Sequence, residues 1–153
     1  MIPDALRLSL GRRQGAARSY ILLPLRLART GLPQGAPVWR IELHDLRTGS
    51  EPLGLDVAGD TIVGRGGDGS SRVDLDLDLY NAFEYGVSRR HAMLRPTRNR
   101  LFLIDLGSTN GTHVNALPLG PGVARALEHD DAISFGRLSC TIKIIDGPHL
   151  HSG

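Results

Sequence analysis

At 153 residues the chain has room for one domain with its own core, and its single cysteine, Cys140, excludes an internal disulfide and a cysteine-based zinc site. No apolar run reaches the ~18 residues of a membrane-spanning helix, and the N-terminus lacks the basic, apolar, small order of a secretion signal, so a reducing, cytoplasmic setting is expected. The formal net charge of +2 is uneven: residues 1–36 hold six arginines against one acid, a net of +5, and residues 37–153 hold twelve basic and fifteen acidic side chains, a net of −3.

Residues 1–36 have no clean period. Leu6, Leu8 and Leu10 alternate with polar residues, and then Gly11, Gly15, Gly31, Pro33 and Gly35 interrupt. The segment reads as a basic arm, partly disordered, that adds a strand near 19–28 and ends in a linker. Three roles stay open for it: a solvated tail, a set of phosphate contacts, or a docking segment. Its one aromatic, Tyr20, gives no stacking platform for single strands, so nucleic acid is not an expected partner.

From Val38 onward, strand-length pieces alternate with turn signals. Val38 to His44 alternates, with Ile41 and Leu43 on one face and Arg40 and Glu42 on the other. Leu53, Leu55 and Val57 repeat the pattern, and Thr61 to Val63 runs into Gly64-Arg65. Val73 to Leu79 has strict period two, with four apolar residues opposite Asp74, Asp76 and Asp78, as a strand with one buried face requires. His91 to Arg95, Leu101 to Leu106, Ala132 to Phe135 and Leu138 to Ile145 complete the predicted strands. No stretch of ten residues carries a 3.6 period. The expected fold is all-β, a sandwich of two antiparallel sheets with about ten or eleven strands and its binding loops at one end. The predicted divisions are the arm at 1–36, one domain at 37–147 and a tail at 148–153.

Three polar clusters interrupt these strands: Gly64-Arg65, Ser88-Arg89-Arg90-His91 and Ser108-Thr109-Asn110-Gly111. Together they set guanidinium groups, hydroxyls and an amide on loops. A phosphate monoester on a peptide carries roughly −1.5 to −2 charges and three acceptor oxygens. Arginine meets it with a permanent charge and a planar fork of donors, and hydroxyls fill the remaining positions.

In order, residue type and flanking strands, the clusters resemble the forkhead-associated (FHA) domain of bacterial signalling proteins, over roughly residues 38–146. The run Leu103 to Asn115 is similar to the family's stretch around its second binding loop. The resemblance implies a phosphothreonine-dependent binding module in Ser/Thr kinase signalling, not an enzyme. Arg65, Ser88 and Arg89 would reach the phosphate, Thr109 would help hold it, and Asn110 would bond the peptide backbone. Gly64, His91, Ser108 and Gly111 would shape the site, with His91 a structural hydrogen-bonding residue. The implied partner is a phosphothreonine-containing protein, either a substrate of a Ser/Thr kinase or the kinase itself. Neither cofactor nor metal is expected, and the oligomeric state stays open. The alternative is a phosphate-independent assembly or scaffolding module.

Two departures from the family stand out: a long spacing between Arg65 and Ser88, which holds a Gly-rich insert (Gly66 to Ser71) and the segment Tyr80 to Val87, and Asp130 where a turn glycine is usual. Asn110-Gly111 also suits a hairpin turn. Other motifs fail on their own terms. Gly64 to Gly69 is glycine-rich, but no Gly-Lys-Ser/Thr follows. The aspartates at 74, 76 and 78 start like a calcium loop, but Leu79 and Tyr85 stand where glycine and glutamate are needed. Gly107 to Gly111 is not a nucleophile elbow. Nothing in the spacing of Ser88, His91 and Asp105 supports a catalytic triad. His149 and His151 lie in the tail, where metal binding would be adventitious.

Overall fold

A computed structural model describes residues 19–20, 37–66 and 72–148 of the chain. Among them are twelve strands and one short 3-10 turn. The strands are β1 (Ser19–Tyr20), β2 (Trp39–His44), β3 (Leu53–Val57), β4 (Thr61–Gly64), β5 (Leu75–Asp76), β6 (Ala92–Pro96), β7 (Leu101–Asp105), β8 (Thr112–Val114), β9 (Leu117–Leu119), β10 (Ala124–Leu127), β11 (Ala132–Phe135) and β12 (Leu138–Asp146). One sheet has the order β1-β3-β2-β12-β11-β8-β9 and the other β10-β7-β6-β4-β5. The predicted all-β sandwich is the observed architecture. Its pairing is antiparallel except at two edges, where β1 lies parallel to β3 and β5 parallel to β4.

Alternation builds the core. Trp39, Ile41 and Leu43 of β2 and Leu53, Leu55 and Val57 of β3 are buried, as are Leu101 and Leu103 of the opposite sheet. Trp39 ties the two sheets together directly, donating its indole N–H to the Thr97 carbonyl in the β6–β7 turn at 2.8 Å. Buried apolar area on facing sheets is the main stabilising term, and here aliphatic side chains supply most of it.

The predicted strand over Val73 to Leu79 shortens to Leu75–Asp76, and Asp78–Tyr80 forms the 3-10 turn. The aspartates cause this. Asp76 Oδ1 accepts the N–H groups of Gly66 (2.8 Å) and Asp78 (3.0 Å), and Asp74 Oδ2 accepts that of Ile62 (2.8 Å). A short carboxylate that bonds backbone two residues on favours a turn over a ladder. Leu75 and Leu77 are buried as the alternation requires, whereas Leu79 turns outward.

Asn110-Gly111 is not a hairpin turn. The strands that flank it, β7 and β8, belong to different sheets, so this loop carries the chain across the sandwich. Two-residue hairpin turns stand elsewhere: Asn115-Ala116 between β8 and β9, with positive φ at both residues (52° and 68°), and Gly136-Arg137 between β11 and β12. The predicted strand near 19–28 is described only at Ser19–Tyr20. The rest of the arm, residues 67–71 of the Gly-rich insert, and residues 149–153 lie outside the described residues.

Candidate functional site

Arg65 leaves β4 with its backbone N–H on the Ser88 carbonyl (3.1 Å) and its Nε on the Val87 carbonyl (2.8 Å). Its guanidinium carbon sits 5.0 Å from the centre of the Phe83 ring. The two terminal nitrogens have no partner among the described residues. Gly64 is required by close approach: a Cβ there would lie 2.0 Å from the Arg89 carbonyl oxygen and 2.8 Å from that of Ser88.

Ser88 is the junction of the site. Its N–H donates to His91 Nδ1 (2.9 Å), and its hydroxyl oxygen accepts the Thr109 N–H (3.0 Å). His91 is fully buried, with its ring edge-on to Phe135 at 5.7 Å. Because Nδ1 accepts, the imidazole is the Nε2–H tautomer, and Nε2 donates to the Gly111 carbonyl at 2.9 Å. Burial pushes its pKa below the usual histidine value. Both ring nitrogens are thus spent on backbone groups, and neither faces the Ser88 hydroxyl.

The loop between β7 and β8 hangs on Asp105, the last residue of β7. Its carboxylate accepts the N–H groups of Gly107 (2.9 Å) and Ser108 (3.0 Å) and the hydroxyls of Ser108 and Thr112 (2.6 Å each). Burial alone would raise its pKa, but these bonds hold it below the ordinary carboxylate value. Ser108 passes the constraint on, its hydroxyl accepting the Gly111 N–H at 2.9 Å. Gly111 has a φ of +87°. Thr109 and Asn110 are left exposed on top of the loop. The Asn110 amide reaches back to the Gly86 carbonyl at 3.0 Å.

Arg65, Ser88, Thr109 and Asn110 are thereby linked through one another or through residues 86–88. Gly64, His91, Ser108 and Gly111 form the frame beneath them. Arg89 differs: its backbone packs on Gly64, but its exposed side chain has no partner among the described residues and no bond directs it to the other four. The exposed rim of these loops presents hydroxyl, amide and guanidinium donors, which can hold an oxyanion without burying unpaired charge.

Sequence reasoning missed three contributors. Asp105 entered only as a member of a rejected triad, although a buried acid that ends an apolar strand before Gly-Ser-Thr is a legible signal for a loop anchor. Phe83 lies between Tyr80 and Tyr85 in the segment that lengthens the spacing to Ser88, and nothing in that run of aromatics singles it out. Gly136 packs directly against the segment Tyr80 to Val87, since a Cβ there would meet the carbonyl oxygens of Gly86 (2.6 Å) and Tyr85 (2.7 Å).

The family profile for the FHA domain matches residues 61–136, the span that holds all three clusters. Over 131 residues the chain is 30% identical to the oxoglutarate dehydrogenase inhibitor of Corynebacterium jeikeium, a match that takes in 71% of this chain and 89% of that protein. The chain belongs to the FHA family. It is also 34% identical over 86 residues to the glycogen accumulation regulator GarA of Mycobacterium tuberculosis, which covers 50% of this chain and 51% of GarA. Across its curated relatives other than the Corynebacterium protein, the chain spans only 24% to 51% of their length. Among solved FHA structures, one from a study of phosphothreonine-dependent FHA domain interactions aligns with a TM-score of 0.54 at 31% identity, covering 72% of this chain and 98% of that one. Among the described residues no helix is long and apolar enough to cross a membrane, and no three His, Cys, Asp or Glu side chains cluster as metal ligands.

Proposed function

We propose that this FHA chain is a phosphothreonine-dependent protein-binding module of Ser/Thr kinase signalling, acting in the cytoplasm by recognition and not by turnover. The observation that carries the reading is the hydrogen-bonded junction of three loops at Ser88, which sets the Arg65 guanidinium, the Ser88 hydroxyl, Thr109 and Asn110 on one rim. Arg65, Ser88 and Thr109 supply donors to the phosphate, and the exposed Arg89 adds charge. Asn110 bonds the backbone of the bound strand.

Each hydrogen bond to a charged group contributes roughly 1.5–3 kcal/mol. Three or four such bonds, less ordering costs, suit a Kd on the order of 1 μM, about −8 kcal/mol. Neither His91 nor Asp105 is available to serve Ser88 as a base. His91 is held by the Ser88 N–H and the Gly111 carbonyl, and Asp105 is engaged by Ser108 and Thr112. The partner class is a phosphothreonine-containing protein, as in the phosphothreonine-dependent interactions studied for the similar FHA structure.

The test is titration of the purified chain with degenerate phosphothreonine, phosphoserine and unphosphorylated peptide pools, with Arg65→Ala as control. Selective binding of the phosphothreonine pool, lost in the variant, is expected. Equal or absent binding across the pools would overturn the reading and leave the phosphate-independent assembly module in its place.

A further inference from the structure

The segment between the 3-10 turn and β6 places a large apolar group at the edge of the site. Phe83 is 71% exposed, although a phenyl ring normally contributes much of its surface to a core. Its backbone is not loose. Ala82 is fully buried, the Val87 N–H bonds the Ala82 carbonyl at 2.9 Å, and the Gly86 N–H bonds the Phe83 carbonyl at 3.1 Å. From outside, the Arg137 N–H donates to the Tyr85 carbonyl (2.7 Å), its guanidinium to the Glu84 carbonyl (2.5 Å), and Asn110 to the Gly86 carbonyl. The ring therefore stands on a braced platform between the two loops of the site, with Arg65 over one face and the rest of its surface open.

We propose that Phe83 is a specificity-determining residue that packs against a bulky apolar side chain of the bound phosphopeptide, close in sequence to the phosphothreonine. The inference rests on the phosphothreonine reading above. Arg65 joins the two surfaces. Its terminal nitrogens are the donors offered to the phosphate and its guanidinium carbon lies 5.0 Å from the ring centre, so the ligand passes the ring close to its phosphate. An extended peptide advances about 3.3 Å per residue, which brings a side chain within about three residues of the phosphothreonine onto the phenyl surface. Arg65 is already fixed by its bonds to residues 87 and 88 and does not depend on the ring for its position.

The experiment is calorimetric titration of the full chain with phosphothreonine peptides in which each flanking position within about three residues is in turn Ala, Leu, Phe or Asp. Each peptide is paired with its unphosphorylated twin. At one position, Leu or Phe should bind roughly tenfold more tightly than Ala. Phe83→Ala should erase that preference and keep the phosphate dependence, and Phe83→Tyr should retain both. A wild-type chain without apolar preference, or a Phe83→Ala variant that weakens every peptide by one common factor, would overturn the inference while leaving the phosphothreonine reading intact. Peptides that bind no better than their unphosphorylated twins would remove both.

Discussion

The Thr109 N–H donates to the Ser88 hydroxyl oxygen at 3.0 Å across twenty-one residues of sequence. The bond fixes the rotor of Ser88, because an oxygen that accepts from one side points its own hydrogen elsewhere. That hydrogen is then available to a ligand oxygen. Ser88 is thus a strut between two loops and a donor at their rim. Ser88→Ala removes both functions, and phosphopeptide affinity should fall by about tenfold to a hundredfold with only a small change in melting temperature. Calorimetry on a fixed phosphothreonine peptide, with a thermal scan of each free protein, checks both halves.

Arg65→Ala should have a similar or larger effect on binding and little on folding. Among the described residues the side chain bonds the fold only through Nε and the Phe83 contact, and the backbone N–H bond to Ser88 survives the substitution. Arg65→Lys should restore only part of the affinity, because an ammonium lacks the planar fork. Titration of the three forms with one peptide measures the series.

Asp105→Asn should destabilise the fold by about 2–4 kcal/mol. The carboxylate accepts four hydrogen bonds while buried, and an amide keeps an acceptor for only two of them, so that the Ser108 and Thr112 hydroxyls must reverse to accept from its NH2. The second loop should loosen as well, so binding weakens beyond what stability alone predicts. Urea unfolding and peptide titration separate the two effects.

His91 gives the stability a pH dependence of definite sign. Burial holds the folded imidazole below the ordinary value of 6.5, so the unfolded chain takes up the proton more readily. The stabilisation is complete above about pH 6.5 and declines as the pH falls below it. Protonation also destroys the acceptor for the Ser88 N–H. Urea midpoints at about pH 7.5 and about pH 5 should differ in the wild type and differ less in His91→Gln, which starts less stable.

Gly64→Ala should cost about 1–3 kcal/mol, since the new Cβ meets backbone atoms of Arg89 and Ser88 that have no room to yield. The displacement is directed at Ser88, so binding should suffer with folding. Measuring affinity well below the melting temperature isolates the binding defect.

The sandwich was legible wherever alternation meets burial, as in β2, β3 and β12. The strands β9 and β10 escaped because exposure breaks their alternation, at Leu117 and Pro118 of β9 and at Ala124 of β10, and β8 because its three residues follow directly on a polar cluster. The Asn115-Ala116 turn escaped because alanine at positive φ leaves no mark in sequence, whereas Asn110-Gly111 imitated a hairpin while serving a crossing between sheets. The aspartate ladder from Asp74 to Asp78 has the pattern of a strand's solvent face, but local carboxylate bonds to backbone turn the chain instead. The clusters of the candidate site stood out as polar types at fixed places between strands. Asp105 and the Phe83 platform depend on contacts between segments far apart in sequence.

Trp39, the chain's one tryptophan, is almost wholly buried and bonds the Thr97 carbonyl just beyond the C-terminal end of β6, whereas His91 and the loops of the candidate site lie at that strand's other end. The molecule therefore carries a built-in optical probe of whether its two sheets are closed, placed about 15 Å along β6 from the rim. Its emission should shift on unfolding and stay unchanged on peptide addition. Melting curves recorded through it would read the stabilisation by a bound ligand without the ligand contributing to the signal.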